Sequence, residues 1–265
     1  MQNQGGGGST FHFPLRTHMR ASGAAMGADS VIPYQSMKNW HWYLDDFNTP
    51  NMAAIDTGTT NPIWKLHDTS SAGTPTFARV ANTTGGVFQM KLAATSEAET
   101  VGIYTYDDLT IQGNLPFYFE TRINVVHTMA ANQVVIWGLI SAFNATFDST
   151  TRNAIFRLDA DADLLIETDD DTTNLDDKDT GWDVVANTYY TYSIERGADG
   201  TIYFRRGETD GKNVKTWTMK RLDSSLSDPS FGANNLQPVF AVQKASGTTT
   251  PEMLVDYAIW AGQRV

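Results

Sequence analysis

The chain has 265 residues, 41% hydrophobic and 11% aromatic, with no cysteine and a formal net charge of −11. A body of that length can bury roughly 70–75% of its unfolded surface without a metal or disulfide staple, and the absence of cysteine excludes disulfide frameworks, thiolate zinc sites and cysteine nucleophiles. The acidic balance argues against nucleic acid as a partner, and no apolar run approaches the roughly 18–20 residues of a membrane span, so no membrane partner is expected.

Residues 1–36 differ in texture from the rest of the chain. Met1 to Ser9 are Gln, Asn and Gly with neither a basic nor an apolar stretch, so no export signal is expected there. Gly5 to Ser9 have linker composition, and neither helical nor strand periodicity persists through Ala28. One reading is a disordered tail. The other, preferred because a disordered tail seldom needs two phenylalanines so close together, is an extended arm that orders against a partner. Its apolar anchors are Phe11, Phe13, Leu15 and Met19, with Arg16 and Arg20 as the only charged side chains of residues 1–28. Residues 1–28 thus carry +2 and leave −13 for residues 29–265, opposite signs that favour an arm of one copy crossing the surface of another.

From residue 37 to residue 265 the sequence reads as one β-sandwich domain. Short runs rich in Val, Ile, Thr, Tyr, Phe and Trp are split by Gly, Asn, Asp, Pro and Thr clusters. In chain order they are Trp40–Phe47, Trp64–His67, Phe77–Ala81, Gly86–Ala93, Thr100–Tyr106, Phe117–Val126, Gln133–Ser141, Ala154–Leu158, Leu164–Thr168, Thr188–Arg196, Thr201–Arg206, Thr216–Met219, Gln237–Gln243 and Leu254–Trp260. In the run from Phe117, the residues Phe117, Phe119, Ile123 and Val125 face one way and Glu120, Arg122 and Asn124 the other; Ile202 and Phe204 likewise oppose Tyr203 and Arg205. One buried and one wet face is the antiparallel pattern. Asp199-Gly200 supplies a hairpin turn, and Asp159 to Asp163 turn the chain between Arg157-Leu158 and Leu164-Leu165-Ile166. No capped stretch of helical spacing intervenes, so the fold class is all-β, an antiparallel sandwich or jelly roll.

Asp159 to Asp183 hold eleven carboxylates relieved only by Lys178. Hard oxygen ligands at this density invite calcium, with Asp159, Asp161 and Asp163 as the candidates, yet Leu164 stands where a calcium loop of the helix–loop–helix kind would turn on glycine. The preferred reading is a solvated hairpin tip and acidic loop that block edge pairing, with no cofactor. Glu167 and Asp169 match the first two places of a Glu-x-Asp-x-x-Glu hydrolase strand, but the third is Thr172, so one of the two carboxylates that glycoside hydrolysis needs is absent and no enzyme is expected. His12, His18, His41, His67 and His127 show no metal-ligand spacing. Of the seven tryptophans, Trp137 and Trp260 sit in apolar strands and read as core, while Trp182 and Trp217 lie near loops and are the better candidates for ligand contact, with core or interface packing the preferred reading over sugar stacking.

Asp45-Asp46-Phe47, Phe119 to Val125, Phe156 to Asp161, Thr188 to Glu195, Ala198 to Phe204, Gln237 to Gln243 and Val255 to Trp260 occur in that order. This set resembles the concanavalin A-like or laminin G-like sandwich found among structural proteins of tailed bacteriophages. The resemblance implies a non-enzymatic virion component assembled in the host cytoplasm. Its first form is a capsid decoration (cement) protein that contacts the major capsid protein or other virion subunits and its own copies, as a homo-oligomer with three copies the guess. The alternative is a carbohydrate-binding, lectin-like module of a phage tail or bacterial surface protein.

Overall fold

The computed structural model describes residues 40–47, 63–81, 83, 86–105, 109–160, 162–172, 174–207, 231 and 234–263, and the backbone of 214–219. The arm residues Phe11, Phe13, Leu15, Arg16, Met19 and Arg20 lie outside them.

Among the described residues there are sixteen strands and no α-helix. They are β1 (Trp40–Asp45), β2 (Lys65–Asp68), β3 (Thr76–Arg79), β4 (Phe88–Lys91), β5 (Glu99–Tyr104), β6 (Ile111–Gln112), β7 (Phe117–Val125), β8 (Gln133–Ile140), β9 (Asn153–Asp159), β10 (Asp163–Asp169), β11 (Asn174–Asp183), β12 (Thr188–Arg196), β13 (Ile202–Gly207), β14 (Val214–Met219), β15 (Asn235–Lys244) and β16 (Glu252–Gln263). Sheet A runs β14-β13-β12-β7-β16-β4-β3, with β1 also on β16; sheet B runs β11-β10-β9-β8-β15-β5-β2, with β6 also on β15. β12 and β13 turn on Gly200 at φ 87°, with Gly197 N–H donating to Thr201 O at 2.9 Å, the expected Asp-Gly hairpin.

The two sheets are joined by aromatic residues, among them Phe119 and Phe204 on the inward faces that alternation gave them. Phe119 of β7 meets Phe240 of β15 at 6.1 Å between ring centroids. Trp137 and Phe156 of sheet B interlock with Tyr192 and Phe204 of sheet A, Trp137–Tyr192 at 4.7 Å and Phe156–Phe204 at 5.2 Å. All six are completely or almost completely buried, and edge-on and offset ring pairs of this kind add about 0.5–1.5 kcal/mol each beyond area burial.

Two features depart from the sequence expectations. The segment expected as an acidic loop is in part a strand: Leu175 and Trp182 of β11 turn inward while Asp176, Asp177, Lys178 and Asp179 stay exposed. Positive φ at Asp177 (46°) and Gly181 (68°) accompanies two register shifts against β10. Those irregularities hide the period of two that marks a strand in sequence. The second departure is on the outer side of sheet B. Ile136 and Ile140 of β8, Ile155 of β9 and Val239 and Ala241 of β15 form a second buried cluster away from the main core, with Phe147 in it and Phe143 packed against it. Residues 141–152, including a 3-10 turn at Phe147–Ser149, therefore roof that half of sheet B. This explains why β8 is apolar on both faces.

Candidate functional site

The alternation that sends Phe119 and Ile123 inward sends Tyr118, Glu120, Arg122 and Asn124 to the outer face of sheet A. Strand register lines these up with partners far away in sequence. One transverse row reads Tyr203–Glu195–Tyr118–Ala261–Trp42, and the next Arg205–Ser193–Glu120–Ile259–Leu44. Below them come Thr191–Arg122–Tyr257 and then Tyr189–Asn124–Leu254. A register shift between Val255 and Tyr257 lets consecutive residues of β16 serve this face: Asp256 reaches Arg122 and Tyr257 reaches Glu120. Re-aiming a side chain is a usual consequence of a bulge.

Three polar clusters result. At one end Arg205 Nη1 lies 2.6 Å from Glu195 Oε2 and its guanidinium stacks 5.0 Å from the Tyr203 ring centroid. At the other, Arg122 Nη1 lies 2.6 Å from Asp256 Oδ2, with its guanidinium 4.5 Å from the Tyr189 centroid. Between them the Glu120 carboxyl accepts hydrogen bonds from both Tyr118 Oη and Tyr257 Oη, the latter at 2.9 Å. Burial pushes the Glu120 carboxyl above the usual carboxylate range, partly offset by its two tyrosine hydrogen bonds. Burial, reinforced by the charge of Glu120, likewise raises both tyrosine hydroxyls. The central cluster is thus dry, with Glu120 only 6% exposed, whereas the Arg122 side chain is 38% exposed and Leu44 65%.

A second polar group sits on the outer face of sheet B beside the roof. Glu167 of β10 and Asp176 and Asp177 of the irregular part of β11 bring one carboxylate oxygen each within 4.8 Å of one another. Buried Asn153 donates from Nδ2 to Glu167 Oε1 at 2.5 Å, and its own Oδ1 has no hydrogen-bond partner. By donor type this set suits calcium. Arg157, however, already stands there, with Nε 3.3 Å from Asp177 Oδ1 and Nη1 3.8 Å from Glu167 Oε2, and supplies the positive charge itself.

The residues singled out in the sequence are scattered over the fold. Asp159 pairs with Arg157 Nε at 3.3 Å, Asp163 is exposed opposite Asp183, and Asp161 is outside the described residues, so the acidic oxygens that converge are Glu167, Asp176 and Asp177. Trp182 is 9% exposed and belongs to the main core, with the Arg206 guanidinium 5.9 Å from its ring centroid, so of its two readings it takes core packing rather than ligand contact. The backbone of Trp217 pairs with Phe204. Glu167 and Asp169 share a face of β10, and Thr172 lies exposed in the following turn. Alternation had already put Glu120, Arg122, Tyr203 and Arg205 on wet faces; what it could not show was their partners Tyr257, Asp256 and Glu195.

No protein-family model and no curated protein sequence matches the chain. Solved structures do resemble it. A protein of unknown function from Shewanella oneidensis MR-1 superposes with a TM-score of 0.58 at 8% identity, covering 85% of this chain and 87% of that one. Lectin UEA-II, solved with galactose, gives 0.54 at 9% identity over 84% of this chain and 98% of the lectin. The fold is concanavalin-like. The CBM2 module of the evolved Dit of Lactobacillus casei BL23 phage J-1 gives 0.51 at 12% identity, covering 86% of this chain and 97% of the module. Identities of this size establish the sandwich expected from the resemblance and leave the chemistry to the faces just described.

Proposed function

We propose that this chain is a non-catalytic, lectin-like glycan-binding module of a virion or bacterial surface protein, meeting its ligand with the outer face of sheet A. The observation that carries the reading is the placement of two guanidinium–carboxylate pairs, Arg205–Glu195 and Arg122–Asp256, each beside a half-buried tyrosine ring on one face. A sugar hydroxyl is donor and acceptor at once; Arg122 beside Asp256, 38% and 23% exposed, offers one of each in fixed geometry, while at the Arg205–Glu195 pair, 13% and 7% exposed, the part-exposed Tyr203 ring is the contact that reaches solvent. The aromatic bodies alongside give the apolar side of a sugar ring something to cover. Similarity of fold to the galactose-bound lectin and to the phage Dit module points the same way. The capsid-cement reading leans on residues 1–36, outside the described residues, and so has less to stand on.

Metal is not required by this reading. If the module takes calcium, Glu167, Asp176 and Asp177 with Asn153 are the residues that would hold it, in competition with Arg157. A glycan array probed with the full chain, with calcium and with chelator, tests the function. Binding in both conditions is expected, and silence in both sinks the glycan reading.

A further inference from the structure

The same face indicates the kind of glycan. Resting on the role just proposed, we infer that sheet A takes an extended, uncharged glycan chain lying along β12 and held at both ends, rather than a single terminal sugar.

Length is the first reason. Glu195 and Tyr203 share one row, with Arg205 in the next at the Ser193 level; Arg122 lies at the Thr191 level, with Tyr189 in the row beyond it. Six residues of strand separate the Tyr203 row from the Tyr189 row, about 20 Å at roughly 3.4 Å per residue, and the two arginines occupy the rows between. One sugar ring cannot cover both tyrosines; a chain that covers one is held at high effective concentration against the other.

Charge is the second reason. Each arginine faces its own carboxylate at 2.6 Å, so neither end presents a net positive charge for sulfate, phosphate or uronate groups. The dry centre adds none, because both Glu120 oxygens are taken up by Tyr118 and Tyr257. A net charge of −11 on the whole chain repels polyanions further.

The test is a calorimetric titration of the full chain with linear gluco-, galacto- and manno-oligosaccharides of increasing length, from monosaccharide to octasaccharide, alongside sulfated and carboxylated counterparts. Affinity should appear only with the longer uncharged chains. Tyr203→Ala and Arg122→Gln change opposite ends of the face; each should weaken long-chain binding roughly tenfold, and together about a hundredfold, the scale of one lost charge-assisted or stacking contact per end. Circular dichroism of each variant separates loss of contact from loss of fold, and a misfolded variant is replaced by Tyr203→Leu or Arg122→Lys for the same measurement. Monosaccharides binding as tightly as long chains, preference for the charged oligomers, or folded variants that bind like the parent all overturn the inference. Binding lost in Glu167→Gln but kept in the sheet A variants overturns it too, moving the site to sheet B and leaving the glycan role intact. No binding by any oligomer removes that role as well, and a dimer that the double variant dissociates would make this face a contact between copies.

Discussion

Lys244 and Glu99 pair across β15 and β5, both completely buried, with Nζ 3.2 Å from Oε2. All three ammonium protons have acceptors: Glu99, Ala93 O, and Thr95 O at 2.7 Å. Glu99 in turn accepts the Ala93 N–H at 3.0 Å. The pair therefore anchors the residues after β4 to the middle of sheet B. Lys244→Met keeps the aliphatic stem but strands the Glu99 carboxylate and two carbonyls in a dry site, and removing one partner of a buried pair typically destabilises by about 3–5 kcal/mol. At roughly 2–4 °C per kcal/mol for a domain near this size, the melting midpoint should fall by about 6–20 °C. Adding Glu99→Gln removes the uncompensated charge while keeping an acceptor for the Ala93 N–H, so the double variant should be less damaged than the sum of the single ones. Urea unfolding of the four proteins, with matched slopes, gives the coupling free energy. A Lys244→Met protein within about 1 kcal/mol of the parent, or strictly additive single changes, would refute this account.

Gly138→Ala should destabilise by roughly 3 kcal/mol, since Gly138 has φ 146° and an added Cβ would sit 2.5 Å from Ala154 O and 2.8 Å from Ile155 Cα; thermal melting checks it, and an unchanged midpoint contradicts it. Glu120 has its folded-state value raised above the ordinary 4.5, so its contribution to stability is fully present below 4.5 and is lost as pH rises through the folded value. Glu120→Gln should accordingly gain on the parent as pH is raised through that window, which melting curves across pH will show; parallel curves count against it. Glu97 behaves in the opposite sense: hydrogen bonds from the Ser71 hydroxyl and amide, Ala72 N–H and the Thr95 hydroxyl hold its carboxyl down at about 2. What it contributes is present above 4.5 and lost as pH falls through about 2. A carboxyl titration by NMR with its midpoint at the ordinary 4.5 would exclude that network.

Much of the sandwich was legible one residue at a time. β7 declared its core face through Phe117, Phe119, Ile123 and Val125 and its outer face through Glu120 and Arg122, but the sequence did not show that Glu120 is buried on that outer face. Strands that keep strict alternation announce themselves because successive side chains must point to opposite sides. β11 did not, because Asp177 and Gly181 break its register and leave Leu175 and Trp182 as isolated apolar residues in an acidic run. The same irregularity left Trp182 open between core and ligand contact, since its neighbours in sequence are polar while its neighbours in space are Arg206 and the core.

By itself, then, the sequence determined the local terms: strand periodicity, the Asp-Gly turn, the absence of disulfides, and which side chains of an alternating strand point away from the core. Those follow from sterics and alternation, which act between residues close along the chain. Tertiary structure alone decided which strands lie side by side. It set Arg122 against Asp256 and Glu120 against Tyr257, more than 130 residues away, and let the bulge at Asp256 deliver two successive side chains to one face. It also laid residues 141–152 over one half of sheet B and gathered Glu167, Asp176 and Asp177 around Arg157. Long-range register depends on the best joint packing of the whole core, and no short window of sequence contains that information.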